Sequence, residues 1–158
     1  MKERLYIAYG SNLNIAQMKV RCPTAKLIGT SIVKDYELVF RGVATIEKKI
    51  GSRVPVAVWK LKKEDERSLD IYEGYPHYYE KENFEIDLDG KKVKVMAYVM
   101  TPGSTLRLPS EYYYNTIYEG YQDNGLDVSF LTEAVNETKK KIEENKQQKT
   151  QYNMRWRW

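Results

Sequence analysis

A chain of 158 residues, 42% hydrophobic and 30% charged, has room for one domain with one sizeable core. Its net charge of +4 sits in the tail: residues 139–158 carry +5 and residues 1–138 only −1, which argues against a folded surface built for nucleic acid. One cysteine, Cys22, excludes an intramolecular disulfide, and one histidine, His77, argues against a multi-histidine metal centre.

The chain opens with "RLYIAY", an apolar run that reads as a buried strand. "NIAQMKVRCP" reads as a short helix opened by Asn12 or Asn14 and stopped before Pro23. "AKLIGTSIVKDYELVFRGVATIE" is rich in β-formers and punctuated by Gly29 and Gly42; "VPVAVWKL" follows as a further strand, with a loop expected at 47–53. "KKEDERSLDIYEGYP" changes period. Acidic residues crowd its first turn, Leu69 and Tyr72 are three apart, and Gly74 with Pro76 supplies a helix stop.

In "KENFEIDLDGKKVKVMAYVM", Phe84, Ile86 and Leu88 alternate, Asp89-Gly90 makes a tight turn, and Val93, Val95 and Ala97 alternate back. That pattern predicts a β-hairpin. "LPSEYYYNTIYEGYQDNG" predicts a helix capped by Ser110 and ended by Gly125, with a second helix starting at Asp127. The stripe of Leu131, Ala134, Val135 and Thr138 fails after Ile142, so a frayed or disordered end is expected. Residues 1–138 are read as the domain and 139–158 as its basic tail. The expected class is α+β with a strongly bent or barrel-like mixed sheet. No apolar run approaches a membrane span and "MKERLYIAYGS" lacks the apolar core of a signal peptide, so with a lone cysteine the expected location is the cytoplasm.

Fourteen tyrosines against three phenylalanines suit a polar-lined pocket or a wet interface, as well as half-exposed faces. Two stretches can carry chemistry. In "YGSN", Gly10 lets the backbone turn sharply, and successive amide N–H groups can converge on an anion, with the positive end of the helix starting near Asn14 added to them. The same tetrapeptide also serves as an ordinary turn. Glu73 stands last in a predicted helix, whose negative end disfavours its charge, among Tyr72, Tyr75, Tyr78 and Tyr79. Both influences raise a carboxyl pKa toward neutrality, unless the side chain is simply solvated.

"YGSNL" near the start, "GVATI" at 42–46, "VAVWKL" at 56–61, "LDIYEGYP" at 69–76, "AYVM" at 97–100 and "NGLD" at 124–127 occur in an order that resembles the gamma-glutamylcyclotransferase-like family. The resemblance runs over about residues 4–135. It implies a small mixed β-barrel flanked by helices, with a pocket at one mouth. Tyr9, Gly10, Ser11, Asn12 and Leu13 match the family's substrate loop, with Tyr6 on the strand leading in. Glu73 falls at the catalytic glutamate. Tyr79 (or Tyr78), Tyr98 and Tyr113 (or Tyr112) match pocket-lining tyrosines.

The implied reaction closes a γ-glutamyl group to 5-oxoproline and releases its amine, with Glu73 as general acid and base and with no metal, nucleotide or other cofactor. The implied partner is a small γ-glutamyl compound, not nucleic acid. A non-catalytic module that binds or senses an amino-acid-like ligand is the alternative on the same fold; such a module would be expected to lack Glu73. The ending "MRWRW" mixes basic and aromatic residues suited to an anionic membrane, nucleic acid or a neighbouring subunit, or it is a solvated end.

Overall fold

The computed structural model describes residues 3–156. In chain order these form β1 (Arg4–Ala8), a single 3₁₀ turn (Ser11–Leu13), α1 (Ile15–Arg21), β2 (Lys26–Arg41), β3 (Val43–Leu61), α2 (Lys63–Glu73), β4 (Tyr79–Leu88), β5 (Lys91–Met100), α3 (Glu111–Asp123) and α4 (Ser129–Arg155). The architecture is α+β, as the residue pattern predicts.

Five strands make one sheet in the order β2-β3-β1-β5-β4. β1 is its centre, antiparallel to β3 and parallel to β5, so the strand that leads into "YGSN" is held from both sides. The sheet bends strongly but is not closed. Its edges β2 and β4 meet through side chains: the Tyr36 ring packs edge-on against Phe84 at 5.1 Å, and the Tyr36 hydroxyl donates to Glu82. The expected barrel is therefore an open sheet whose seam lacks a backbone ladder.

The hairpin at Asp89-Gly90 forms as the alternation predicts, with both turn residues at positive φ (50° and 80°), the conformation that suits the twist of paired strands. β2 and β3 are longer than their punctuation suggests. They turn at Gly42 and pair from Arg41–Val43 out to Lys26–Lys60, with register shifts at Ile28 and Asp35. Residues 49–52 are accommodated as a bulge opposite Asp35, whose Oδ1 accepts from the Gly51 N–H at 3.0 Å. The expected loop at 47–53 is thus part of a strand pair, because one side-chain acceptor takes up the amide that the bulge displaces.

Ile7, Phe40, Ile46, Val54, Leu61, Leu69 and Met96 fill the inside of the bend, with Ile117 and Tyr121 of α3 and Leu131 of α4 packed against them. α4 buries Leu131, Ala134 and Thr138 but does not fray after Ile142. It continues to Arg155 with residues 143–155 exposed. Lysine, glutamate and glutamine there are good helix formers needing no apolar partner, and Lys146 pairs with Glu143 at 3.6 Å. Of the terminal "RWRW", Arg157 and Trp158 lie outside the described residues. Among the described residues, no helix is long and apolar enough to cross a membrane.

Candidate active site

β1 delivers the chain to Tyr9, and the backbone then folds into the 3₁₀ turn at Ser11–Leu13, closed by the Leu13 N–H on the Gly10 carbonyl at 3.0 Å. A turn of this kind leaves its leading amides without internal acceptors. Among the described residues, the N–H groups of Gly10, Ser11 and Asn12 have no backbone acceptor. These three residues border a cavity of about 560 Å³. Gly10 also faces Ala44 and Tyr113: a Cβ there would lie 3.3 Å from the Ala44 Cβ and 3.4 Å from the Tyr113 hydroxyl. The expected help from α1 does not arrive. Its first amides are capped by the Asn14 side chain, which accepts from Gln17, and by Asp123, which accepts from Ile15, so its positive end is neutralised against α3.

Glu73 borders the same cavity. Local sequence fixes its place. At the start of α2 the Lys62 N–H donates to the Asp65 carboxylate at 2.9 Å, and Gly74 ends it in the left-handed conformation at φ 64°. A Cβ at position 74 would lie 2.5 Å from Cδ2 of Tyr78, so glycine is needed for both conformation and space. Burial pushes the Glu73 carboxyl up to about 7 against the opposing charge of Arg21. A carboxyl near 7 can accept and return a proton at neutral pH.

The tyrosines form the rest of the wall. Ala44, near the start of β3, is gripped from two sides: its carbonyl accepts from the Tyr79 hydroxyl at 2.8 Å, and its N–H donates to the Tyr113 hydroxyl at 3.1 Å. Tyr9 donates to the Tyr98 carbonyl at 2.6 Å, and Tyr98 donates to Asp70 at 2.5 Å. Asn12 donates to the Tyr6 hydroxyl at 3.0 Å. Tyr6 and Tyr113 accept from N–H groups, which leaves their phenolic protons available to a guest. Burial raises the pKa of Tyr6, Tyr9, Tyr79, Tyr98 and Tyr113, so all five stay protonated donors near neutrality.

The residues matched by a family model described as "Gamma-glutamyl cyclotransferase, AIG2-like" are 6–116. The chain belongs to this family. A gamma-glutamylcyclotransferase of Bos taurus is 31% identical over 140 residues, covering 80% of this chain and 74% of that protein. The Homo sapiens protein of the same name is 32% identical with the same coverage. A solved structure titled gamma-glutamyl cyclotransferase superposes with a TM-score of 0.76 at 28% identity, over 84% of this chain and 86% of the other. YkqA of Bacillus subtilis, at 16% identity and a TM-score of 0.73, shares the fold over 88% of this chain and 55% of its own.

Of the residues singled out in the sequence, Tyr6, Tyr9, Gly10, Ser11, Asn12, Glu73, Tyr79, Tyr98 and Tyr113 all border the cavity. Tyr78 borders it too, though 68% exposed, whereas Tyr112 points to solvent and does not. Leu13 is turned away. It is fully buried beneath Gly120 and belongs to the core.

Sequence reasoning did not reach Arg41 and Ile71, which also line the wall, and gave Tyr72 only a desolvating part. The segment 101–109 contributes Thr101, Ser104 and Arg107 to the cavity. Lys49 and Arg53 instead face a separate groove beside α4.

Proposed function

We propose that this chain is a γ-glutamylcyclotransferase that converts a γ-glutamyl compound to 5-oxoproline and a free amine. The observation that carries the reading is a half-buried carboxyl at Glu73, raised to about 7, on the same cavity as the unpaired amides of Gly10, Ser11 and Asn12. The family membership points the same way.

In this reading the amides and the free phenolic protons of Tyr6 and Tyr113 hold the α-carboxylate and γ-carbonyl of the guest. Glu73 takes a proton from the α-ammonium, and the freed nitrogen attacks the γ-carbonyl carbon. The five-membered ring closes, the Glu73 carboxyl hands its proton to the departing nitrogen as the bond from that carbon breaks, and the ring nitrogen gives up its surplus proton to the regenerated Glu73 carboxylate, leaving the single N–H of 5-oxoproline. Nucleophile and electrophile belong to one molecule, so orientation and proton handling are the main tasks. Amides facing the developing oxyanion stabilise it more than they stabilise the ground-state carbonyl.

The catalytic unit in this reading is residues 1–138, working in the cytoplasm, with the exposed end of α4 as an appendage. The test is incubation with a panel of γ-glutamyl amino acids and γ-glutamylamines, scoring 5-oxoproline and released amine. Turnover of at least one member is expected, together with loss of binding when the α-carboxylate of that member is amidated. Silence across the panel with a saturable thermal shift from one compound would identify a binding module instead.

A further inference from the structure

Arg21, the last residue of α1, does not border the cavity, yet its guanidinium is a junction behind it. It donates to Oδ1 of Asn12 at 2.5 Å and lies over the Tyr72 ring, 3.3 Å from the ring centre. Asn12 donates onward to Tyr6, and the Tyr72 hydroxyl sits 3.0 Å from Oγ of Ser11. The amide-lined bend and the last turn of α2 are therefore fastened to each other around one planar cation. A guanidinium can stack on a ring through its face while donating from its edge; an ammonium is a point charge with no face to stack.

We propose that Arg21 is a positioning residue: it clamps Tyr72 to Asn12 and so holds the adjacent Glu73 carboxyl against the amide-lined bend. The inference rests on Glu73 being the proton carrier. The groups facing that carboxyl are Tyr6 and Tyr9 from β1 and its exit, Arg21 from α1, Tyr79 from β4 and Tyr113 from α3, with Tyr72 beside it on α2. Arg21 is the cation among them. Arg41 and Arg107 border the cavity, but Arg41 is paired with Glu47. Lys81, on the β4 side, is held by Glu66 and Asp70. Arg21 thus both fixes the carboxyl in place and opposes the burial that raises it.

The experiment compares Arg21→Met, Arg21→Lys, Tyr72→Leu and the double variant Arg21→Met/Tyr72→Leu with the parent chain. It uses kcat and KM across pH for the best compound of the panel, and ¹³C NMR titration of the Glu73 carboxyl, assigned with Glu73→Gln. Arg21→Met is expected to lower kcat about tenfold with KM within about threefold, and to move the acidic limb of kcat/KM upward by about half a pH unit or more. Arg21→Lys should return the limb while leaving most of the kcat loss. The double variant should be no slower than Arg21→Met alone, since both substitutions break one clamp.

An unmoved limb with kcat within about twofold of the parent overturns the proposal, as do independent, multiplying losses in the double variant. If Arg21→Met does not fold, full recovery of kcat by Arg21→Lys overturns it, and persistent loss with a restored limb supports it. If the parent chain releases no 5-oxoproline at all, the catalytic reading fails by itself. The NMR titration then still decides the role of Arg21, because a Glu73 titration unchanged in Arg21→Met, or in Tyr72→Leu where Arg21→Met does not fold, contradicts the clamp.

Discussion

Gly120 of α3 rests directly on Leu13: a Cβ at position 120 would lie 2.6 Å from the Leu13 Cβ and 2.7 Å from the Asn14 nitrogen. The bend that carries the unpaired amides is thus braced from below by a helix that tolerates no side chain at the contact. Gly120→Ala sets two effects against each other. Helix propensity favours alanine by roughly 1 kcal/mol, whereas overpacking against a backbone that cannot yield costs about 1–3 kcal/mol. The second is expected to win. Chemical denaturation should show a net loss of stability, and KM for the best γ-glutamyl compound should rise because the bend is displaced.

The raised pKa of Glu73 makes a prediction about stability with a definite sign. Its ordinary value is 4.5 and its folded value about 7, so between these pH values the folded chain holds a proton that the unfolded chain has released. Stability therefore falls as pH rises from 4.5 toward 7, and the loss is complete above 7. Glu73→Gln removes the burden. It should raise the Tm at pH 8, by a margin corresponding to about 1–3 kcal/mol, and give little gain at pH 4. The same titration predicts that kcat/KM of the parent chain climbs through an acidic limb near pH 7.

Tyr79 and Tyr113 both hold Ala44, one by its carbonyl and the other by its N–H. Removing either hydroxyl leaves a backbone group of β3 without its partner. Tyr79→Phe and Tyr113→Phe should each cost about 1–2 kcal/mol in a urea melt. Tyr112→Phe, at a side chain 77% exposed, serves as the control and should cost almost nothing.

The protruding end of α4 should be dispensable to the fold and to turnover. Its last tie to the sheet is Lys141, whose ammonium donates to Glu37 at 2.7 Å, and every residue from Glu143 to Arg155 is exposed. A chain ending at Ile142 is expected to keep its Tm within a few degrees and its kcat unchanged. Salt-sensitive association with anionic vesicles or nucleic acid, if the full chain shows it, should disappear with the truncation.

What could be read from the sequence followed from local rules. Asp89-Gly90 between alternating runs specifies a hairpin whatever surrounds it, and Gly74 after Glu73 marks a helix end that also aims a carboxyl. The "YGSN" exit was legible as a bend because glycine, serine and asparagine disfavour continuing a strand. The parts that were not legible depend on contacts distant in the chain. Nothing near Arg21 announces the Tyr72 ring 51 residues away, and nothing near Asn14 announces that Asp123 neutralises the start of α1. The seam between β2 and β4 is made by Tyr36, Phe84 and Glu82, whose meeting depends on the bend of the whole sheet. The persistence of α4 past Ile142 reflects propensity acting without burial, which an apolar-stripe argument cannot see.

The proposed role of the Glu73 carboxyl is to move the proton for a guest seated on the amides of Gly10, Ser11 and Asn12. Its most direct test is 5-oxoproline release by Glu73→Gln, measured beside the parent chain on the same γ-glutamyl compound, with a thermal shift to report binding. An intact fold, retained binding and release lowered by about a thousandfold or more are expected. Release by the variant at a substantial fraction of the parent rate would contradict that role, and would mean that another group carries the proton.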